Sequence, residues 1–196
     1  MTVKFESENL TLKFWRLMYQ TYTLLKRCED QIFGEHGLTT EQYGVLVSIE
    51  YLGEPAKVTD VARWLARSAN SVSMIIDRMV KAGLVKRVRD RKDRRAVCLS
   101  ITSKGKNALK PATLGGLEFI QKILSPLSSE DRRIFVSQLE TLKYELLSYL
   151  NPGVDTEKVK RNELEKKANL RKWMDLYASP STSRAKRQGG RKKKAM

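Results

Sequence analysis

Residues 58–101 read VTDVARWLARSANSVSMIIDRMVKAGLVKRVRDRKDRRAVCLSI, and their pattern decides the fold. Thr59 is placed to cap a short helix with Val61, Ala62 and Leu65 facing inward. Arg67-Ser68-Ala69-Asn70 makes a tight connection. A second helix follows, with Val72, Ile75, Ile76, Met79 and Val80 on its apolar side. Ala82-Gly83-Leu84 stops it, with glycine at the left-handed position. Two such helices joined by a short turn make a helix-turn-helix. Next, Leu84, Val85 and Val88 precede a charged turn, Asp90-Arg91-Lys92-Asp93-Arg94-Arg95, after which Val97, Leu99 and Ile101 alternate with Ala96, Cys98 and Ser100. That alternation predicts a two-stranded hairpin, and a hairpin in this place is a wing. A charge run is ordinarily a solvated loop. Here four basic residues in six fall at the tip of the wing, where a polyanion backbone would pass.

The flanks read as helices. Upstream, a stripe recurs at Leu10, Phe14, Leu17, Thr21, Leu24 and Cys28, widened by Met18, Leu25 and Ile32. The steps of four and three form one helical stripe, and it is too apolar to lack a partner helix. Thr39-Thr40-Glu41 starts a further helix, which Gly53-Glu54-Pro55 ends. Downstream, Thr102-Ser103-Lys104-Gly105 opens a helix carrying Leu109, Leu114, Leu117, Ile120 and Leu124. Its Pro111 and Gly115-Gly116 predict a kink. Ser128-Ser129-Glu130-Asp131 opens the last long helix, whose Phe135, Leu139, Leu142, Leu146 and Tyr149 form a regular seam. The expected fold is mainly α with a small β-hairpin wing: a winged helix-turn-helix beside an all-helical lobe.

Composition narrows the function. The chain has 196 residues, with 38 Lys+Arg against 22 Asp+Glu, a net charge of +16. That length buries a core without staples, and 41% hydrophobic residues predict folding over most of it. No apolar run is long enough to span a membrane, and the N-terminus has no signal-peptide core. Two cysteines and one histidine point to neither a disulfide scaffold, a structural zinc site nor His-based catalysis. The acidic residues alternate with basic ones, so no carboxylate cluster of a nuclease stands out. We therefore expect an intracellular protein with no catalytic residues, metal or cofactor, and with a polyanion, foremost nucleic acid, as partner. The charge is uneven. Residues 151–196 hold 14 Lys+Arg and 5 Asp+Glu after the turn at Asn151-Pro152-Gly153. Residues 151–178 read as a charged extension open to helix formation, and 179–196 as a disordered basic tail.

The stretch from Leu38 to Gly105 resembles the MarR family, bacterial winged-helix regulators of the multiple-antibiotic-resistance type. The resemblance rests on an ordered set: Val58-Thr59-Asp60-Val61-Ala62, Ser71-Val72-Ser73, Ile76-Asp77-Arg78-Met79, Ala82-Gly83-Leu84-Val85-Lys86-Arg87, the Asp90–Arg95 turn and Ile101-Thr102-Ser103-Lys104-Gly105. It covers most of residues 8–150 and leaves out the basic tail. It implies a sequence-specific, dimeric DNA-binding regulator, foremost a repressor, cytoplasmic and bound to nucleoid DNA. A nonspecific or architectural DNA binder is the alternative. The implied division is 1–37 with 103–150 as dimerisation lobe and 38–102 as DNA-binding lobe. Leu10, Phe14, Leu17 and Leu24 would then meet Phe135, Leu139, Leu142 and Leu146 across the dimer seam. The DNA would be a pseudo-palindrome, with half-sites about 10–10.5 bp apart or a multiple of that.

The resemblance also assigns roles. Ser68, Asn70, Ser71 and Ser73 stand where the recognition helix reaches bases or phosphates; capping is the competing role, above all for Ser68 and Asn70. Met74, in the DNA-facing set, stands where many members carry arginine, a departure that removes one base or phosphate contact and leaves the operator sequence unpredictable; Arg78, one turn on, is open between a phosphate contact and pairing near Asp77. In the wing, Asp93 fixes an arginine by ion pairing while Arg94 or Arg95 enters the minor groove; Arg91 and Lys92 face phosphates. Lys86 and Arg87 are open between solvated strand residues and contacts. Trp15, Tyr19, Tyr22 and Tyr43 are candidates to line a pocket for a small aromatic effector, or are core and dimer packing. Cys28, beside Lys26 and Arg27, is open between an oxidant sensor and a plain buried thiol. Cys98 reads as structural, and His36, in a Gly-flanked loop, as solvent-exposed or hydrogen-bonded rather than a metal ligand.

Overall fold

A threonine three residues ahead of a glutamine sets the first boundary of the central domain. Thr39 accepts a hydrogen bond from the Gln42 amide, and the Gln42 side chain returns one from the Thr39 amide. In the computed structural model, which describes residues 10–89 and 97–165, that box opens helix α2. Helix α1 (Leu10–Gly34) precedes α2 (Thr40–Leu52); strand β1 (Ala56–Lys57) leads into α3 (Val58–Trp64) and α4 (Ala69–Lys81). Strands β2 (Val85–Arg89) and β3 (Val97–Ile101) form the hairpin. Helices α5 (Ser103–Leu124), α6 (Ser129–Leu150) and α7 (Thr156–Glu165) follow.

The sheet is a three-stranded antiparallel one, in the order β1-β3-β2. Val85 faces Ile101 and Arg89 faces Val97, while Ala56 faces Leu99. The hairpin is therefore two strands of three: a two-residue strand is too short to leave a periodic signal. β1 also corrects the start of α3. Thr59 does not cap it; the chain passes straight from Lys57 in the strand into the helix, with no side-chain cap. Val97, expected inward with Leu99 and Ile101, is exposed, whereas Cys98 is buried. Val97 sits at the far end of the strand, at the edge of the described hairpin.

The core lies inside this winged unit. Val45, Leu46 and Ile49 of α2 meet Val61 and Ala62 of α3, Val72, Ile76 and Met79 of α4, and Leu84, Val85, Leu99 and Ile101 of the sheet. Phe33 of α1 with Leu109 and Ala112 of α5 close it from the other side. The kink expected in α5 has a different counterpart. The helix runs as one element through Pro111. A Cβ on Gly115 would lie 3.2 Å from Ile32, and one on Gly116 3.3 Å from Phe33. The two glycines let α1 and α5 approach closely.

Beyond that crossing, among the described residues, the apolar surface of these helices is left exposed. α6 has no buried residue, and α1 has only Phe33. Among the described residues, no helix is long and apolar enough to cross a membrane, and no group of three His, Cys, Asp or Glu is placed to hold a metal.

Candidate nucleic-acid interface

Helix α4 has one apolar side and one polar side. Its apolar residues Val72, Ile75, Ile76 and Met79 face the core at the spacing of one helix face. That leaves Asn70, Met74, Asp77, Arg78 and Lys81 exposed on the outward side, with Ser71 and Ser73 half-buried. Ser68 is the N-cap; its hydroxyl accepts from the Ser71 amide at 3.2 Å. Asn70 is the second residue of the helix and leaves its capping to Ser68. Gly83, at φ +71°, closes the other end, and Lys104 Nζ donates to the Ala82 carbonyl at 2.9 Å. A cation there also suits the negative end of the helix.

Strand β2 runs beside α4 and exposes Lys86, Arg87 and Arg89. Arg87 Nη2 lies 2.7 Å from Asp77 Oδ1. This pair neutralises the one carboxylate on the outward side of α4. Arg78 does not join it: its Nε donates to the Met74 carbonyl oxygen at 3.3 Å. The Asp77–Arg87 pairing was not legible in sequence, because ten residues separate the partners and only the turn of the chain brings them together. Wing-tip residues Arg91, Lys92, Asp93, Arg94 and Arg95 lie outside the described residues, as does the tail.

A cavity of about 330 Å³ lies where α1, α2 and the α3–α4 turn meet. Tyr22, Phe33, Tyr43, Leu65, Arg67 and Ile75 are among the residues lining it. Of the four aromatic candidates, Tyr22 and Tyr43 are in its wall. Trp15 and Tyr19 pack against each other, ring centroids 5.3 Å apart, and are exposed. Tyr43 stacks on Phe33 at 3.8 Å, and burial pushes its phenol up. At the mouth, Glu41 lies 3.2 Å from Lys26 Nζ and 3.8 Å from Arg67 Nη2. The backbone amide of Glu41 itself, then Lys26 and Arg67, hold the carboxyl below its ordinary range. Glu41 thus ties α1 to the residue that precedes the cap of α4. Sequence reading missed it for want of any spacing rule across three elements.

The seam residues Leu10, Phe14, Leu17, Leu24, Phe135, Leu139 and Leu146 are all exposed, and Leu142 is half-buried. Cys28 is half-buried on the same helix as the first four.

The sequence profile of the MarR family matches residues 36–96. YpoP, an uncharacterised HTH-type transcriptional regulator of Bacillus subtilis (strain 168), is 30% identical over 101 residues, 48% of this chain and 71% of that protein. Among solved structures, the organohalide-sensing regulator RdhR in its 2,4-dichlorophenol-bound form superposes with a TM-score of 0.67 at 20% identity, over 78% of this chain and 90% of that one. A cysteine-to-serine mutant of MarR from Escherichia coli, complexed with operator DNA, gives 0.59 at 22% identity, over 72% and 99%. These two likenesses bear on the fold.

Proposed function

We propose that this chain, which belongs to the MarR family of winged-helix DNA-binding transcriptional regulators, is a sequence-specific homodimeric repressor. The observation that carries the reading is the outward side of α4. It has a capped N-terminus, short polar side chains, a neutralised carboxylate and a basic strand alongside. Such a surface suits a major groove with phosphates at its rim. Ser71, Ser73 and Asn70 are offered to bases, Arg78, Lys81, Arg91 and Lys92 to phosphates, and Arg94 or Arg95 to the adjacent minor groove. The operator-bound MarR neighbour supports the same seating for this chain.

Two further parts of the reading rest on other surfaces. The uncovered apolar residues of α1 and α6 support a dimer in which 1–37 and 103–150 form the joining lobe and 38–102 the reading lobe. A dimer reads a pseudo-palindrome, and one seated on a promoter in the cytoplasm blocks polymerase, hence repression. The cavity beneath Arg67 and Ile75 supports release by a small aromatic compound, the class bound by the RdhR neighbour. Such a compound acts only if it binds one disposition of α4 better than the other.

Selection from a random duplex library tests the core of the proposal. One enriched site is expected, which unrelated duplex competes for poorly. Replacing Arg94 and Arg95 together with Ala is expected to cut affinity for it by at least about tenfold, with the dimer intact by sedimentation. Equal competition by unrelated DNA would leave a nonspecific binder.

A further inference from the structure

Met74 is the most exposed large apolar side chain of the winged unit, at 63% of its surface, and it stands mid-way along the outward side of α4. The core does not use it: Val72, Ile75, Ile76 and Met79 make the buried side of the helix. Its polar neighbours do not need it either. Asp77 is engaged by Arg87, and Arg78 Nε donates to the Met74 main-chain oxygen rather than meeting its side chain. A thioether is at most a weak acceptor, so Met74 cannot take part in a hydrogen-bond code. Against phosphate it would only displace water from an anion. The major groove presents an apolar group on one base alone, the 5-methyl of thymine.

We propose that Met74 reads a thymine methyl group in each half-site, so that the operator carries a thymine, and discriminates it from cytosine, where the middle of α4 passes. This rests on the reading of α4 as the DNA-facing helix and adds the chemistry of one position. Asn70 lies one turn before Met74 and Arg78 one turn after, about 5–6 Å to either side. Met74 is therefore flanked by an amide suited to base edges and a cation suited to phosphate, an apolar contact within a polar frame. A flexible, polarizable side chain adapts to a methyl of fixed position.

The test uses the full chain and the site enriched from the random library. Each thymine is replaced in turn by deoxyuridine, which removes the methyl and nothing else. At one position per half-site the unaltered protein is expected to lose about fourfold in affinity, the factor for one buried methyl-sized group. Met74→Ala, a good helix former at an exposed position, is expected to fold normally and to lose the difference between the two duplexes. Met74→Leu is expected to keep it. Two results overturn the proposal: no thymine whose methyl matters, or a methyl effect that survives Met74→Ala unchanged. A selection that enriches no site at all overturns the sequence-specific reading together with this one. An enriched site without the Met74-linked methyl effect overturns this one alone.

Discussion

At position 105 two ordinary effects oppose each other. Alanine is favoured over glycine inside a helix by about 1 kcal/mol. Yet a Cβ there would collide with the main-chain oxygen of Leu84 and stand 2.7 Å from Ile101 Cγ2. The backbone cannot yield, because the Thr102 hydroxyl and amide tie the same corner to the Gly83 and Leu84 carbonyls. Overpacking costs about 1–3 kcal/mol, and contact with backbone belongs at the upper end. Gly105→Ala is therefore expected to lower stability by about 1–2 kcal/mol net, read as a fall in the urea midpoint. A midpoint that rises would mean that the corner gives way. The turn between α3 and α4 is a contrasting residue. Ala66 sits at φ +51°, with its amide bonded to Arg63 and that of Arg67 to Ala62. The same closure ends α4 at Gly83, where the glycine announces it. An alanine announces nothing, and its left-handed conformation, costing about 1–2 kcal/mol, is held by those two bonds and the Ser68 cap.

Among the elements, α6 is the least self-sufficient. It is capped by Ser128 with Asp131 in a reciprocal box, and yet it buries nothing. Its two sides have separate uses. Lys143 and Tyr144 bond Glu163 of α7, at 2.6 and 2.8 Å, and Lys160 lies 4.9 Å over the Tyr144 ring. The apolar residues Phe135, Leu139, Leu142 and Leu146 fall, by helical spacing, on the opposite side from Tyr144. Exposed at 47% and half-buried respectively, Leu17 and Leu142 tolerate change without loss of core packing. Leu17→Glu with Leu142→Glu is accordingly expected to yield folded monomers, with far weaker binding to the selected duplex. A dimer mass in sedimentation would show that the seam lies elsewhere.

For the molecule as a whole, the net charge of +16 favours its approach to DNA whatever the sequence. Residues 179–196 add seven basic residues and no acidic ones, outside the described structure. If they follow the phosphates, each one neutralised contributes about −0.9 to the slope of log K against log salt. Ending the chain after Ala178 is expected to weaken binding to all duplexes alike and to flatten that slope, with the preferred site unchanged, because phosphate contacts carry no sequence information. Equal slopes for the two lengths would make the tail a solubilising segment. A changed site preference would make it a base reader.

Period and punctuation in the sequence determined helices α1 to α6, the two long strands, the helix stop at Gly83 and the helix starts at Thr39, Thr102 and Ser128; Ser68 and the segment of α7 stayed open. These depend on residues within a turn or two of one another, and local chemistry is what a sequence writes down directly. The apolar excess of α1 and α6 was legible as well, as a surface with nothing of its own to cover. Tertiary structure alone decided what depends on chain crossing: the short strand β1 and with it the uncapped start of α3, the Asp77–Arg87 pair, the Glu41 link from α1 to the turn before α4, and the parting of Tyr22 and Tyr43 from Trp15 and Tyr19. It also decided that Gly115 and Gly116 serve a close crossing of α1 and α5. The physical reason is the same throughout: whether a charge is neutralised or a glycine is needed depends on what the fold brings opposite it, and spacing along the chain carries no record of that.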